Sequence, residues 1–517
     1  MKMQRRAFWL LYSGAALALS ACAAPAVSPP AAAPTAQVAP ITAEAMRARI
    51  SFLASDALRG RDTPSQGLEA AAAYLVSESA RIGLEPAGEE GTYYQRYPFP
   101  LRRLAVDQTR LTVRGPREAR TLRYGSDFFS AGGTAADVEG GLVFVGREFA
   151  GTEASGTLRD RVMVAALPGA WSRDWRTLRS RQTRQAEQQG ARAVIHVLDP
   201  SWTAEQISQF AAQAGTPART LGEAVGFPEF FVSYSAAQRL FALANVPLDE
   251  AWQRSSSGEV EPVTLPGVAF TGGAPQELID RASAPNIAAV LRGSDPALRD
   301  EYVILSAHMD HVGVGTPMNG DSIYNGADDN ASGTSALIEV AKAMRALPTA
   351  PRRSVIFLWV SGEEKGLLGS RWYSDNPTVP LEQIVANINV DMIAQNAPDT
   401  VVVIGKDYST LGQVVNRVNA RHPELNLIAA DDLWPEERFF FRSDHFNFAR
   451  KEIPAIFFFT GVHECYHRPC DDVDFINPAK AARVATLIFH VARDIADADQ
   501  RPVWDPAGLE EVRALTR

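Results

Sequence analysis

Residues 303–333, VILSAHMDHVGVGTPMNGDSIYNGADDNASG, decide how this chain is read. The apolar run Val303-Ile304-Leu305 predicts a short buried strand. It delivers His308, Asp310 and His311 in one cluster. A loop rich in Gly and Asn follows, then Asp328-Asp329, and residues 334–347 read as a helix. Metal-type ligands concentrated just past a buried strand point to the carboxyl edge of an open α/β sheet, where such folds place their chemistry. The stretch reads as one half of a metal centre.

The other half is sought at later strand ends. Apolar runs at 302–305, 355–360, 388–390, 401–404 and 455–459 alternate with helical patterns, the last near 478–496. Continuous apolar strands separated by helices predict an α/β fold with a mostly parallel or mixed central sheet and helices on both faces. Polar clusters follow these strands: Glu363-Glu364 after SVIFLWV, Asp391 after NINV, and residues 463–474 after PAIFFFT, with His445 between. Any one of them alone reads as a solvated loop. Together, each delivered by an apolar strand, they predict a shared site.

Imidazole nitrogen with carboxylate oxygen suits Zn2+ and related divalent ions. Two metals close together need a bridging carboxylate, and Asp328, in a Gly-flanked turn before a helix, fits that role. Of the adjacent Glu363 and Glu364, one can bind metal while the other takes a proton from water. Asp310, two positions from His308, is placed to orient that imidazole.

The motifs AHMDH, NGADDNASG, GEEKGLLGS, NVDM and CYHRPCDD resemble, in order and spacing, the two-zinc aminopeptidases of the M28 type. The resemblance covers about residues 42–100 and 283–497. It implies His308 and Asp391 on one zinc, Glu364 and His467 on the other, and Asp328 as the bridge. It implies Glu363 as general base and Tyr466 as a stabiliser of the tetrahedral intermediate, with Asp329 simply following the bridge. His311, His445 and His463 are not carried over as ligands and are expected to line the pocket or serve structure. The function implied is an exopeptidase removing N-terminal residues from peptides through water activated by two Zn2+. The alternatives are a one-zinc glutaminyl-cyclase-like enzyme, a carboxypeptidase or dipeptidase on the same fold, and a non-catalytic binding lipoprotein. The last would have a broken ligand set, whereas every implied ligand position is filled here.

Residues 104–280 differ in character, with β-like runs at 142–145, 162–164 and 193–197 and no ligand cluster. They predict an inserted β-rich or mixed domain, which resembles the protease-associated domain. His196 reads as a core or strand-edge histidine. The predicted partition is a leader over 1–21, an Ala/Pro-rich tether over 22–40, peptidase sequence over 41–103, the insertion over 104–280, and the main peptidase part over 281–517.

The leader combines Lys2, Arg5 and Arg6 with an apolar run over 7–21 that is too short to span a bilayer. Leu19-Ser20-Ala21-Cys22 resembles a bacterial lipobox, which implies a lipid on Cys22. Ala23, where an Asp would favour inner-membrane retention, implies an outer-membrane anchor facing the periplasm. An ordinary secretory signal is the alternative. The 517-residue chain carries a net charge of −9 with no basic run, so nucleic acid is excluded as an expected partner. Cys465 and Cys470, the remaining cysteines, either pair in an oxidising compartment or stay as thiols.

Overall fold

Local sequence explains how the peptidase part begins. The computed structural model describes residues 40–147, 156–222, 226–256 and 261–516. The leader, Cys22 and nearly all of the tether lie outside the described residues. Helix α1 (Ala43–Leu53) is capped by Thr42, whose side chain accepts from the Ala45 N–H, and buries Met46, Ile50 and Leu53. Helix α2 (Gln66–Ile82) starts at a Ser65 cap and stops at Gly83, which takes the left-handed conformation that ends helices cheaply.

Nine strands form the main sheet: β1 (Glu85–Pro86), β2 (Tyr94–Pro98), β3 (Ser283–Leu291), β4 (Tyr302–His308), β5 (Ser354–Val360), β6 (Ile384–Val390), β7 (Thr400–Ile404), β8 (Ile428–Ala430) and β9 (Ala455–Phe459). Their order is β1-β3-β5-β4-β6-β9-β7-β8, with β2 also paired to β3. The central four, β5, β4, β6 and β9, are mutually parallel. β3 joins antiparallel on one side and β7 on the other, so the sheet is mixed.

Strands β4, β5 and β6 are buried along their whole length, which is why they read as unbroken apolar runs. On one face Tyr373 and Phe448, from the short helices Leu368–Asp375 and His445–Ala449, pack with Ile304, Ile356 and Leu358. Alternation turns Val303 and Leu305 to the other face. There α3 (Gly333–Arg345) and α5 (Pro478–Asp497) lie against β4 and each other. Helix α4 (Leu411–Arg421) packs beside α5. The stretch expected as a Gly/Asn loop contains a hairpin, Gly313–Met318 with Asp321–Tyr324. Its strands are short and mostly exposed, so they leave no apolar alternation to read.

Between β2 and β3 the chain forms a separate eight-stranded sheet with its own apolar core around Phe144, Val164, Ile195, Phe230 and Phe270. Leu101–Leu104 and Gln276–Asp280, at the two ends of this excursion, pair antiparallel with each other. Inside it, His196 is fully buried and Nε2 lies 2.9 Å from Glu229 Oε1, while Nδ1 meets Gln182 Oε1 at 2.9 Å. Arg179 grips the same carboxylate through both Nε and Nη2. Burial opposes charge on Glu229, but Arg179 and His196 hold it well below the usual carboxylate range.

A carboxyl depressed in the folded state contributes stability above its unfolded pKa and loses it as pH falls. Glu229→Gln is therefore expected to cost about 3 kcal/mol in urea unfolding at neutral pH, because it strands Arg179. It should also flatten the loss of stability that the parent protein shows on acidification below about pH 4. An unchanged acid slope in the variant would remove Glu229 as the source.

Candidate metal centre

The candidate ligands sit where four parallel strands end. His308 is the last residue of β4, Glu363 and Glu364 follow β5, Asp391 follows β6, and His463 to His467 follow β9. Two groups of donor atoms result. His308, Glu363 and Asp391 form one; His311, Asp329, Glu364 and His467 form the other, each group's donors lying within 4.8 Å of one another. Asp329 joins them: its Oδ1 is 3.2 Å from His308 Nε2, and its Oδ2 is 3.2 Å from His467 Nε2.

Asp329 thus occupies the place expected of Asp328. Adjacent residues in an irregular turn point in different directions, and their order in the motif does not say which faces the site. Asp328 turns away: its Oδ1 accepts from the Ala394 N–H at 2.7 Å, and its Oδ2 is 3.3 Å from His463 Nε2. Gly326 makes room for this turn. It has φ +62°, and a Cβ there would come within 2.2 Å of the Asp329 carbonyl and 2.5 Å of His311 Cγ. Asn330 then ties the turn to β6, donating to the Val390 carbonyl and accepting from Gly333 N–H.

Asp310 also acts differently from expectation. His308 Nδ1 meets the Asp310 backbone carbonyl at 3.2 Å, with the Asp310 carboxylate farther off at 3.7 Å. A proton on Nδ1 leaves the Nε2 lone pair facing Asp391 and Asp329. The Asp310 carboxylate instead accepts from Gly362 N–H at 2.8 Å and Thr63 Oγ1 at 3.0 Å, holding the turn that carries Glu363. Ser443 donates to Asp391 Oδ2 and leaves Oδ1 3.1 Å from His308 Nε2.

Two supports were not foreseen. Asp471 accepts from the backbone N–H groups of Asp328 and Asp329, at 2.9 and 3.0 Å. Arg61, 1% exposed, donates to the carbonyls of Leu53, Met309, Asn325 and Gly326. CYHRPCDD carried the signal for Asp471. Arg61 lies far from any motif and has none. Cys465 and Cys470 form a disulfide with a Cα–Cα distance of 5.3 Å, closing the loop that presents Tyr466 and His467. Tyr466 stacks on His467 with ring centroids 3.9 Å apart.

His445 is fully buried between Phe440 and Phe457, and burial lowers it to about 3, so it belongs to the core. His463 packs on Phe475 beside Asp328, outside both donor groups. Among the aromatics of the loop before it, Phe439 reaches the cleft, whereas Phe440 packs on Tyr408.

The charge balance fits a cation. Burial pushes Asp391 up, and burial with Glu364, Asp444 and Asp391 pushes Glu363 well up against the opposing His308. Burial opposes charge on His467, yet Asp329 and Glu364 raise it to about 10. His467 Nε2 is buried 3.0 Å from Glu364 Oε2 and satisfies hydrogen-bond geometry with neither neighbouring carboxylate. Lone pairs converging without a hydrogen bond, among concentrated carboxylates, are what a divalent ion such as zinc relieves.

Glu363, Asp329, Asp391, Tyr466 and Arg442 line a small cleft of about 50 Å3, with Met392, Phe439, Phe457, Phe459 and Val462 as its apolar wall. A larger cavity of about 320 Å3 opens in the excursion beside Trp171, Trp175 and Phe210, away from both donor groups. Size does not locate the chemistry here; the donor set does.

Residues 286–492 match the model of peptidase family M28. The chain is 25% identical over 223 residues to a probable leucine aminopeptidase of Arthroderma otae, covering 42% of this chain and 58% of that protein. It is 29% identical over 231 residues to aminopeptidase Y of Saccharomyces cerevisiae, covering 41% and 39%. The matches thus span 58% and 39% of the length of these two relatives. The solved aminopeptidase from Aneurinibacillus sp. strain AM-1 superposes with a TM-score of 0.46 at 20% identity, over 90% of this chain and 96% of that one. Both donor groups lie within residues 286–492, the stretch that matches the model of peptidase family M28.

Proposed function

We propose that this chain is a zinc-dependent aminopeptidase with two metal positions, His308–Asp391 and Glu364–His467, joined by Asp329. The observation that carries the reading is Asp329, with one oxygen facing His308 and the other facing His467, beside a cleft that also holds Glu363. Zinc bound there would supply Lewis-acid polarisation and make water acidic enough to serve at neutral pH. Glu363 takes a proton from the attacking water and returns it to the departing amine; its raised pKa suits both duties. Tyr466, kept protonated by burial and nearby carboxylates, offers its O–H to the developing oxyanion.

The three carboxylates lining the cleft, Asp329, Glu363 and Asp391, are committed to the metals and the base, and the aminopeptidase names of the relatives support a substrate with a free α-amino group. The apolar wall favours an uncharged side chain next to it. Arg442 on the same cleft supports a second reading, a dipeptidase whose substrate carboxylate meets the guanidinium. A panel of free, N-blocked and C-amidated peptides separates the two. Aminopeptidase action requires the free amine and tolerates amidation, while dipeptidase action fails on the amide. One zinc per chain, with cyclisation of N-terminal glutamine, would favour the cyclase alternative instead.

Glu363→Gln should lower kcat about 10^2–10^4-fold with zinc content kept; normal turnover would remove Glu363 as base. Asp329→Asn should lose zinc on elemental analysis, while Asp328→Asn keeps it. The reverse pattern would return the bridge to Asp328.

The leader and lipobox support export as an outer-membrane lipoprotein facing the periplasm, with lipid on Cys22. Cys22→Ser should abolish incorporation of labelled palmitate, and persistent labelling would overturn the anchor. The excursion between β2 and β3 reads as a protease-associated-like insertion.

A further inference from the structure

Two imidazoles meet Glu364 in different ways. His467 Nε2 lies 3.0 Å from Oε2 and 3.2 Å from Asp329 Oδ2 without hydrogen-bond geometry to either. His311 Nδ1 lies 2.8 Å from the other oxygen, Oε1, in hydrogen-bond geometry, and only 3.7 Å from Asp329 Oδ2. Both rings belong to the second donor group, but only His467 faces two carboxylates without a hydrogen bond to either. His311 makes a hydrogen bond instead, to the oxygen of Glu364 that does not face His467.

We propose that His311 is a positioning residue: its Nδ1–H donates to Glu364 Oε1 and turns Oε2 toward the point shared with His467 and Asp329. This rests on the two-metal reading above. A glutamate has three side-chain torsions, and a free carboxylate in this cleft would rotate among several orientations. A hydrogen bond from a ring that cannot itself move removes that freedom. The His311 ring is fully buried, and the α-carbon of Gly326 lies so close that a Cβ there would sit 2.5 Å from Cγ. Arg61 stiffens the same loop: its own carbonyl accepts from the His311 N–H, and its guanidinium holds the carbonyls of Met309 and Gly326. Hydrogen bonds to a ligating carboxylate fix its aim, and losing one typically costs about 10–100-fold in metal affinity.

The test is zinc titration of the chelator-stripped mature protein against a competing chromogenic chelator. The wild type is expected to take up two zinc ions. His311→Ala should weaken one of them by about 10–100-fold and leave the other unchanged. His311→Asn, whose amide N–H falls near the position of Nδ1–H, should recover most of the loss. Circular dichroism of the metal-free proteins checks folding, and if the alanine variant misfolds the asparagine variant carries the test. Unchanged affinity in His311→Ala overturns the proposal. So does an asparagine variant no better than alanine, because His311 would then be a ligand and not a donor to one. A wild type that binds fewer than two zinc ions fails differently, by removing the two-metal reading itself.

Discussion

Asp329 lies 3.2 Å from an imidazole on either side, His308 and His467, and is almost wholly buried. Burying a carboxylate is costly unless its charge is matched. Here the matching groups are two histidines that also face Asp391 and Glu364, so negative charge exceeds what the protein side chains neutralise. A divalent cation such as zinc would relieve that imbalance, and the surrounding residues hold the donors in place for it. Burial opposes charge on Asp329, yet His311, His308 and His467 draw it well below the usual carboxylate range.

The loops that deliver these residues come from four strand ends, and each needs its own restraint. Asp471 holds the backbone at Asp328 and Asp329, Asp310 holds the Glu363 turn, Ser443 aims Asp391, and the Cys465–Cys470 disulfide closes the His467 loop. Arg61 gathers four backbone acceptors from three stretches of chain, Leu53, Met309 and Asn325–Gly326, on one guanidinium. Its burial lowers it to about 10, opposed by Asp310, Asp329, Asp471 and Glu364, so it remains a cation among these acids. Charged side chains here satisfy backbone groups more than they satisfy one another. Irregular loops leave many N–H and C=O groups without regular partners, and these must be paired when buried.

Much of the fold was legible because its elements are strongly patterned. Helix α2 reads directly from Ser65 to Gly83, since the cap, the apolar face and the stop are all local. Strands β4, β5 and β9 read as apolar runs because both faces are covered. The hairpin after His311 did not read, because its strands are short and mostly exposed, and residues 56–61, which lie against it, are distant in sequence. The short helix His445–Ala449 was hidden for a similar reason: a buried histidine resembles a ligand until its aromatic neighbours are known.

The sequence by itself determined which residue types arrive at which strand ends, and hence that carboxylates and imidazoles converge on one edge of an α/β sheet. Those facts depend on periodicity and spacing, which are local. Only the tertiary structure decided which of two adjacent aspartates faces the centre, that the Asp310 carboxylate serves the Glu363 turn, and that His311 reaches Glu364. These are matters of direction within irregular backbone. A one-residue step there reverses where a side chain points, and only contacts with distant segments fix it.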